Sequence, residues 1–166
     1  MAAELYKQDF YAWTRQQAAA LRRLADERWN GPLDLVHLSE EIADLGEERR
    51  NAVRSHLRRI IEHCLKLEHS PAVEPHADWK GSIVNARSEI GDRLTTTIRN
   101  DMERELPALY AQALRAARLA LSERGESEAA ETLPENGPYV LAQLLADDWY
   151  SASRHRITDS HMVTRR

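Results

Sequence analysis

The chain has 166 residues, of which 42% are hydrophobic and 30% charged, with six glycines, six prolines and a single cysteine. That length fits one domain able to bury a core without metals or disulfides, and the composition excludes collagenous and disordered classes. A formal charge of −4 disfavours a protein devoted to gripping phosphate backbones, and the lone Cys64 excludes an intramolecular disulfide or a thiolate zinc cluster.

No apolar run approaches the roughly 18 residues that a membrane-spanning helix needs. The opening Met1 to Asp9 is already charged and carries no signal-peptide core, so a cytoplasmic location is expected.

Tyr6, Phe10, Trp13, Ala20, Leu21 and Leu24 recur with a helical period and predict a first helix over about Glu4 to Arg28, stopped by Asn30-Gly31-Pro32. Asp34 is an N-cap for a long second helix, with the stripe Leu35, Leu38, Ile42, Leu45, Val53, Leu57, Ile60, Cys64 and Leu67. Glu68 to His76 reads as loop, after which Asp78 caps a third helix through Trp79, Ile83, Ala86 and Ile90 to about Leu94. Thr95 to Thr97 mark a boundary, because β-branched hydroxyl side chains cap better than they continue. A fourth helix follows through Ile98, Met102, Leu109, Ala113, Ala116 and Ala120, with a kink expected at Pro107. Ser122 to Glu131 is a polar loop, and Pro138 opens a fifth helix through Leu141, Leu144, Leu145 and Trp149. No segment alternates as a strand does. The expected fold is therefore an all-α bundle of about five helices with one long central helix. Residues 4–149 form its single domain, and residues 150–166 a mobile tail.

Asp9-Phe10-Tyr11-Ala12-Trp13, Leu38, Glu40-Glu41-Ile42, Leu45-Gly46, Glu48-Arg49-Arg50, His63-Cys64-Leu65-Lys66 and Trp79 follow one another in a characteristic order. Leu106-Pro107 with Tyr110, Leu133-Pro134, Pro138-Tyr139 and Gln143-Leu144-Leu145 complete the series. In order and spacing these segments resemble the bacterial family called domain of unknown function 29, from about Leu5 to Trp149. The resemblance implies a free-standing, all-helical bacterial protein. It implies no activity, cofactor or catalytic residue, and it does not extend to the tail after Trp149.

Signatures of known chemistry are missing: there is no glycine-rich phosphate loop, no glycine-flanked nucleophilic serine and no His-Glu-x-x-His helix. None of the seven histidines follows a glutamate by three residues, which disfavours a di-iron bundle. His63, His69, His76 and Asp78 are metal-ligand candidates across the end of the second helix and its loop, suited to zinc or nickel if folding gathers them. A solvated, histidine-bearing loop is the blander account, and His37 with Glu41 is a weaker pair. Cys64 falls on the apolar stripe and reads as a buried, inert thiol.

Glu40, Asp44 and Glu48 form an acidic column, and Arg50, Arg54 and Arg58 a basic one further along the same helix. Exposed ion pairs contribute little, so a solvated face is the simple reading; the sharper one is an antiparallel partner surface, including self-association. Polar residues also interrupt the apolar stripes. At about 100° per residue Arg49 projects within about 20° of Ile42 and Ile60, His56 and Glu105 lie near their stripes, and Gln17 falls between Phe10 and Trp13. Because unpaired buried charge is costly, these residues predict a buried network of Gln17, Arg49, His56 and Glu105. Arg49 should meet Glu105 there, with Asp9 or Glu89 as alternatives. Trp13 and Trp79 are expected as core anchors.

No cofactor is expected. The function that best suits these features is a non-enzymatic interaction or regulatory module with a protein partner or itself. A metal-binding or enzymatic bundle using the second helix and its loop is the alternative. A nucleic-acid-associated protein acting through the arginine column and the tail comes third.

Overall fold

The computed structural model describes residues 1–155, whose helices are α1 (Ala2–Gln8), α2 (Phe10–Asp26), α3 (Leu35–His69), α4 (His76–Gly91), α5 (Thr96–Glu123), α6 (Ser127–Glu131) and α7 (Leu141–Leu145). No strand occurs among these residues. The all-α expectation holds, as does the long central helix. At about 1.5 Å per residue α3 spans roughly 50 Å.

The expected first helix is broken at Asp9, whose backbone leaves the helical region at φ −145° and ψ 83°. Its side chain is the reason. Asp9 Oδ1 accepts from the Ala12 N–H at 2.9 Å and so caps α2, while Oδ2 accepts from the Thr97 N–H at 2.8 Å in the first turn of α5. A single carboxylate thus satisfies orphan donors of two helices, which fixes where the chain turns. Burial alone would raise its pKa, but the hydrogen bonds from Ala12, Thr97 and Thr95 outweigh burial and hold the carboxyl below its ordinary range.

Asp34 caps α3 through the His37 N–H, and Thr95 caps α5 through the Ile98 N–H, as their residue types predict. Asp78 does not cap α4, which begins two residues earlier at His76 behind Pro75; proline's fixed φ suits a helix entry. α4 also ends at Gly91, three residues short of Leu94. α5 continues through Pro107, which lies with Glu103 on the exposed side of the helix. The polar stretch expected as loop holds the short α6, anchored by buried Ala129 and Ala130, and α7 starts at Leu141 rather than at Pro138.

The core lies around the second half of α3. Val53, Leu57, Ile60, Ile61, Cys64 and Leu65 meet Ile83, Ala86 and Ile90 of α4 and Ile98, Met102, Leu109 and Ala113 of α5. Trp79 belongs to this core. Trp13 does not: it is half-buried in an aromatic cluster, edge-to-face with Tyr6 at 4.8 Å and stacked on Phe10 at 5.7 Å. Hydrogen bonds from α3 to the α4 and α5 side of the bundle begin at Arg49 and Arg50, and the preceding half of α3 pairs with α2 as an arm whose base, at Leu45 and Glu48, borders Glu89, Asp92 and Arg93.

Candidate functional site

The arm is a helical hairpin held by small residues. Thr14 and Ala18 of α2 are buried against Ser39 and Gly46 of α3, and a Cβ on Gly46 would collide with the Thr14 side chain. Glycine is required there because the two backbones approach so closely. Tyr11, buried at the base, donates its hydroxyl to Glu47 Oε1 at 2.9 Å.

Apart from Tyr11 and Leu35, which are also buried, the large apolar residues of the arm lie elsewhere. Phe10, Trp13, Gln17, Ala20 and Leu24 follow the three-four spacing of a heptad seam, as do Leu38, Ile42, Leu45, Arg49 and Ala52. None of these ten is fully buried, and Leu24, Leu38 and Leu45 are 39%, 39% and 53% exposed. The Arg49 guanidinium lies 4.9 Å from the centre of the Phe10 ring, so the two seams meet on one side of the hairpin. Each helix therefore carries two seams, a narrow one consumed inside the hairpin and a broad one left outward.

Arg15, Arg22 and Arg23 on α2, and Glu40, Glu41, Asp44 and Glu48 on α3, are all exposed, and none makes an ion pair among the described residues. Glu41 and Glu48 flank the α3 seam, whereas on α2 only Arg23 lies beside the seam, followed by Glu27, and Arg15 and Arg22 project about 170° away from it.

The predicted polar network does not assemble. Arg49 is half-buried, stacks on Phe10 and donates to the Asp92 carbonyl at 3.4 Å instead of meeting Glu105. Arg50 takes the predicted role: its Nε donates to Asp101 Oδ2 at 3.1 Å and its Nη2 to Glu105, which Arg54 also approaches at 3.4 Å. Arg49 and Arg50 straddle the core direction of α3, and the carboxylates of α5 happen to lie on the Arg50 side. Gln17 is half-buried on the outward seam. His56 is also half-buried, with burial, opposed by Glu89 and reinforced by Arg59 and Arg93, holding its imidazole pKa down. The arginine column thus splits, with Arg50 and Arg54 neutralised inside the chain and Arg58 exposed.

The metal candidates are not gathered either. No group of three His, Cys, Asp or Glu side chains among the described residues could hold a metal ion. His63 and His69 are six residues apart on one helix and so point about 120° apart. His76 packs against Trp79, and Asp78 is exposed. His69 is buried at the wall of a cavity of about 440 Å³ shared with Glu126, Arg154 and His155. His63 is held near pKa 4 by burial and by Lys66. His37 pairs with Asp34 at 2.6 Å rather than with Glu41. Cys64 is fully buried and burial pushes its thiol up to about 11, in keeping with an inert core cysteine.

Two polar anchors escaped the sequence. Arg87, buried on α4, donates to the carbonyls of Leu144 at 2.9 Å, Asp147 at 3.3 Å and Trp149 at 2.7 Å. Glu68 accepts from the Tyr139 hydroxyl at 2.8 Å and from Arg154 Nε at 2.9 Å. Ser151 Oγ donates to the Cys64 carbonyl at 2.6 Å, so residues up to 155 lie against α3; residues 156–166, the greater part of the expected tail, fall outside the described residues. A periodicity argument had no access to Arg87, because its acceptors are carbonyls some sixty residues away.

Comparison with known proteins bears on what this architecture is. The family model described as "Domain of unknown function DUF29" matches residues 5–150. The chain belongs to the DUF29 family. The resemblance read from its segments is therefore correct, and the match ends beside Trp149, where the quoted segments end. Among solved structures, this DUF29 chain is similar to an alpha-helical protein of unknown function from Rhodospirillum rubrum. The two share 26% identity over 87% of this chain and 90% of that one, with a TM-score of 0.75. No curated protein matches. No helix among the described residues is long and apolar enough to cross a membrane.

Proposed function

We propose that this DUF29 chain is a non-enzymatic interaction module of the cytoplasm, and that it engages protein through the outward face of the α2–α3 arm. One observation carries the reading: along the middle of the hairpin the buried residues are Thr14, Ala18, Ser39 and Gly46, with Tyr11 and Leu35 buried at its two ends, while Phe10, Trp13, Leu24, Leu38, Ile42 and Leu45 sit outside it. A hairpin that existed only to extend the core would do the reverse, because large apolar side chains contribute most when buried. Contiguous exposed apolar surface rimmed by charge is the usual mark of a protein contact. Arg50 and Arg54 face Asp101 and Glu105, which leaves less free positive charge for nucleic acid than the sequence suggests.

A photo-crosslinking amino acid placed at Leu38 or Leu45 tests this in living cells. Protein adducts are expected from both positions and not from the equally exposed Val84 on α4. Absence of any adduct from the arm in a folded chain refutes the reading.

A further inference from the structure

Between α5 and the chain that leads into α7 lies a cavity of about 400 Å³. That volume falls in the range of small-molecule sites, roughly 300 to 1,000 Å³. Ile61 of α3, Leu106 of α5 and Leu144 of α7 form an apolar floor with Tyr110 and Tyr139, and all of them but the half-buried Leu106 are buried. The walls are tied in place. Tyr110 donates its hydroxyl to the Pro134 carbonyl at 2.6 Å, Tyr139 donates to Glu68 at 2.8 Å, and Arg87 donates to the Leu144 carbonyl at 2.9 Å. Gly137 lies so close to the Tyr110 ring that a Cβ there would collide with it. With both phenol hydroxyls engaged elsewhere, the two tyrosines offer the cavity aromatic carbon.

Charge enters at the opening. Of the residues that line the cavity only Glu103 and Glu135 are charged; both are exposed, and no lysine, arginine or histidine is among the lining residues. Glu135 pairs with Arg118 at 2.5 Å, whereas Glu103 makes no ion pair among the described residues. The tyrosines feel the same sign of charge: burial first, then Glu68 and Glu135 against the opposing Arg118, push the Tyr110 phenol up to about 12. An anion would meet this rim with nothing to neutralise it. An ammonium beside Glu103 keeps part of its hydration while its apolar body is buried, which avoids the cost of stripping a charge of water. Aromatic walls favour a cation further.

We propose that this cavity is a binding site for a small organic amine, whose apolar body fills the floor of Ile61, Leu106 and Leu144 and whose single ammonium is directed at Glu103. The site stands apart from the α2–α3 arm, so neither reading depends on the other. It also gives the two polar anchors a purpose, since Arg87 and Glu68 hold the Leu144 and Tyr139 walls in position.

Phenethylamine, phenethyl alcohol and phenylpropionate share one apolar body and differ in charge. Titration of the isotope-labelled full chain with each, followed by nuclear magnetic resonance, reads the site directly. Phenethylamine is expected to shift the Gly137, Tyr139 and Leu144 amides and to saturate with a Kd of about 1 mM or tighter. The alcohol should bind about threefold or more weakly, and the carboxylate should fail to saturate by about 10 mM, because an exposed charge contact changes affinity by a few-fold. Glu103→Arg, at an exposed helical position, should weaken the amine by about fivefold or more and improve the carboxylate, while leaving the alcohol within about twofold. Ala111→Trp, at an exposed lining position, should abolish binding of all three with helical circular dichroism unchanged. No saturable shift from phenethylamine by about 10 mM overturns the proposal. So do shifts centred elsewhere on the chain, affinities that ignore the sign of the charge, or an amine affinity indifferent to Glu103→Arg or to Ala111→Trp.

Discussion

Gly46 of α3 faces Thr14 of α2 with no room for a β-carbon between them, and this contact sets how closely the two helices of the arm approach. Gly46→Ala would gain helix propensity by about 1 kcal/mol in an unconstrained helix. Here it must push the Thr14 side chain aside, and overpacking of this kind costs about 1 to 3 kcal/mol. A net loss of about 1 kcal/mol or more is expected in urea unfolding. Pairing the change with Thr14→Ala should recover most of it, since the collision is with the threonine side chain.

Asp9 joins the break between α1 and α2 to the start of α5. Its carboxyl is held below its ordinary pKa in the folded chain. A carboxyl depressed on folding contributes stability above its unfolded pKa, and that contribution is lost as pH falls through the folded value. Asp9→Asn keeps the shape but turns an NH₂ donor toward either the Ala12 or the Thr97 N–H. A cost of about 1 to 3 kcal/mol is expected at pH 7. The difference between wild type and variant should shrink as pH falls below about 4, and a difference that stays constant from pH 6 to pH 3 would contradict the capping role.

Arg50 rather than Arg49 is the arginine on which folding depends. Its Asp101 partner is buried and also pairs with Arg104 on the same helix, so Arg50→Ala leaves that carboxylate with one cation of two, at a cost of about 1 to 3 kcal/mol. Arg49→Ala loses a ring contact and one long hydrogen bond, worth about 1 kcal/mol. A double-mutant cycle of Arg50 with Asp101 should report coupling of about 1 to 3 kcal/mol, while the cycle of Arg49 with Glu105 should report nearly none.

Arg87 serves three backbone carbonyls that belong to the chain following α7. Replacing it with Met removes all three donors and is expected to cost about 2 to 4 kcal/mol. Arg87→Lys should fare little better, because an ammonium lacks the planar fork that reaches three acceptors at once. Limited proteolysis should then cleave between residues 140 and 155 well before the rest of the chain, and resistance there equal to the wild type would contradict the anchoring role.

His37 and His63 should titrate on opposite sides of the ordinary imidazole value. The hydrogen bond and charge of Asp34 raise His37 above 6.5, whereas burial, aided by Lys66, lowers His63 to about 4. For His63 the sign is clear. The unfolded chain takes up a proton below about 6.5 and the folded chain resists it until about 4, so stability falls across that window as pH falls. Imidazole resonances followed by nuclear magnetic resonance from pH 8 to pH 3.5 distinguish the two, and a common midpoint for both would refute the assignment.

Periodicity and caps made much of this protein legible in one dimension. The apolar stripes defined the helices, Asp34 and the threonine run at Thr95 marked two of their starts, and the second half of the α3 stripe, Val53, Leu57, Ile60 and Cys64, lies in the core, whereas its first half at Leu38, Ile42 and Leu45 does not. Local chemistry suffices for such features, because a helical period and a capping side chain act within a few residues. The sequence could not say which of two neighbouring stripes on α2 and α3 would be buried. Leu38, Ile42 and Leu45 have the better apolar residues, yet Ser39 and Gly46 are inside, since only small side chains let two backbones come close enough to pair. It could not choose between Arg49 and Arg50, which lie on either side of the core direction until α5 supplies carboxylates to one of them. The break at Asp9 was hidden for a related reason: the second donor that holds it, the Thr97 N–H, lies 88 residues further along the chain and is brought there only by tertiary packing.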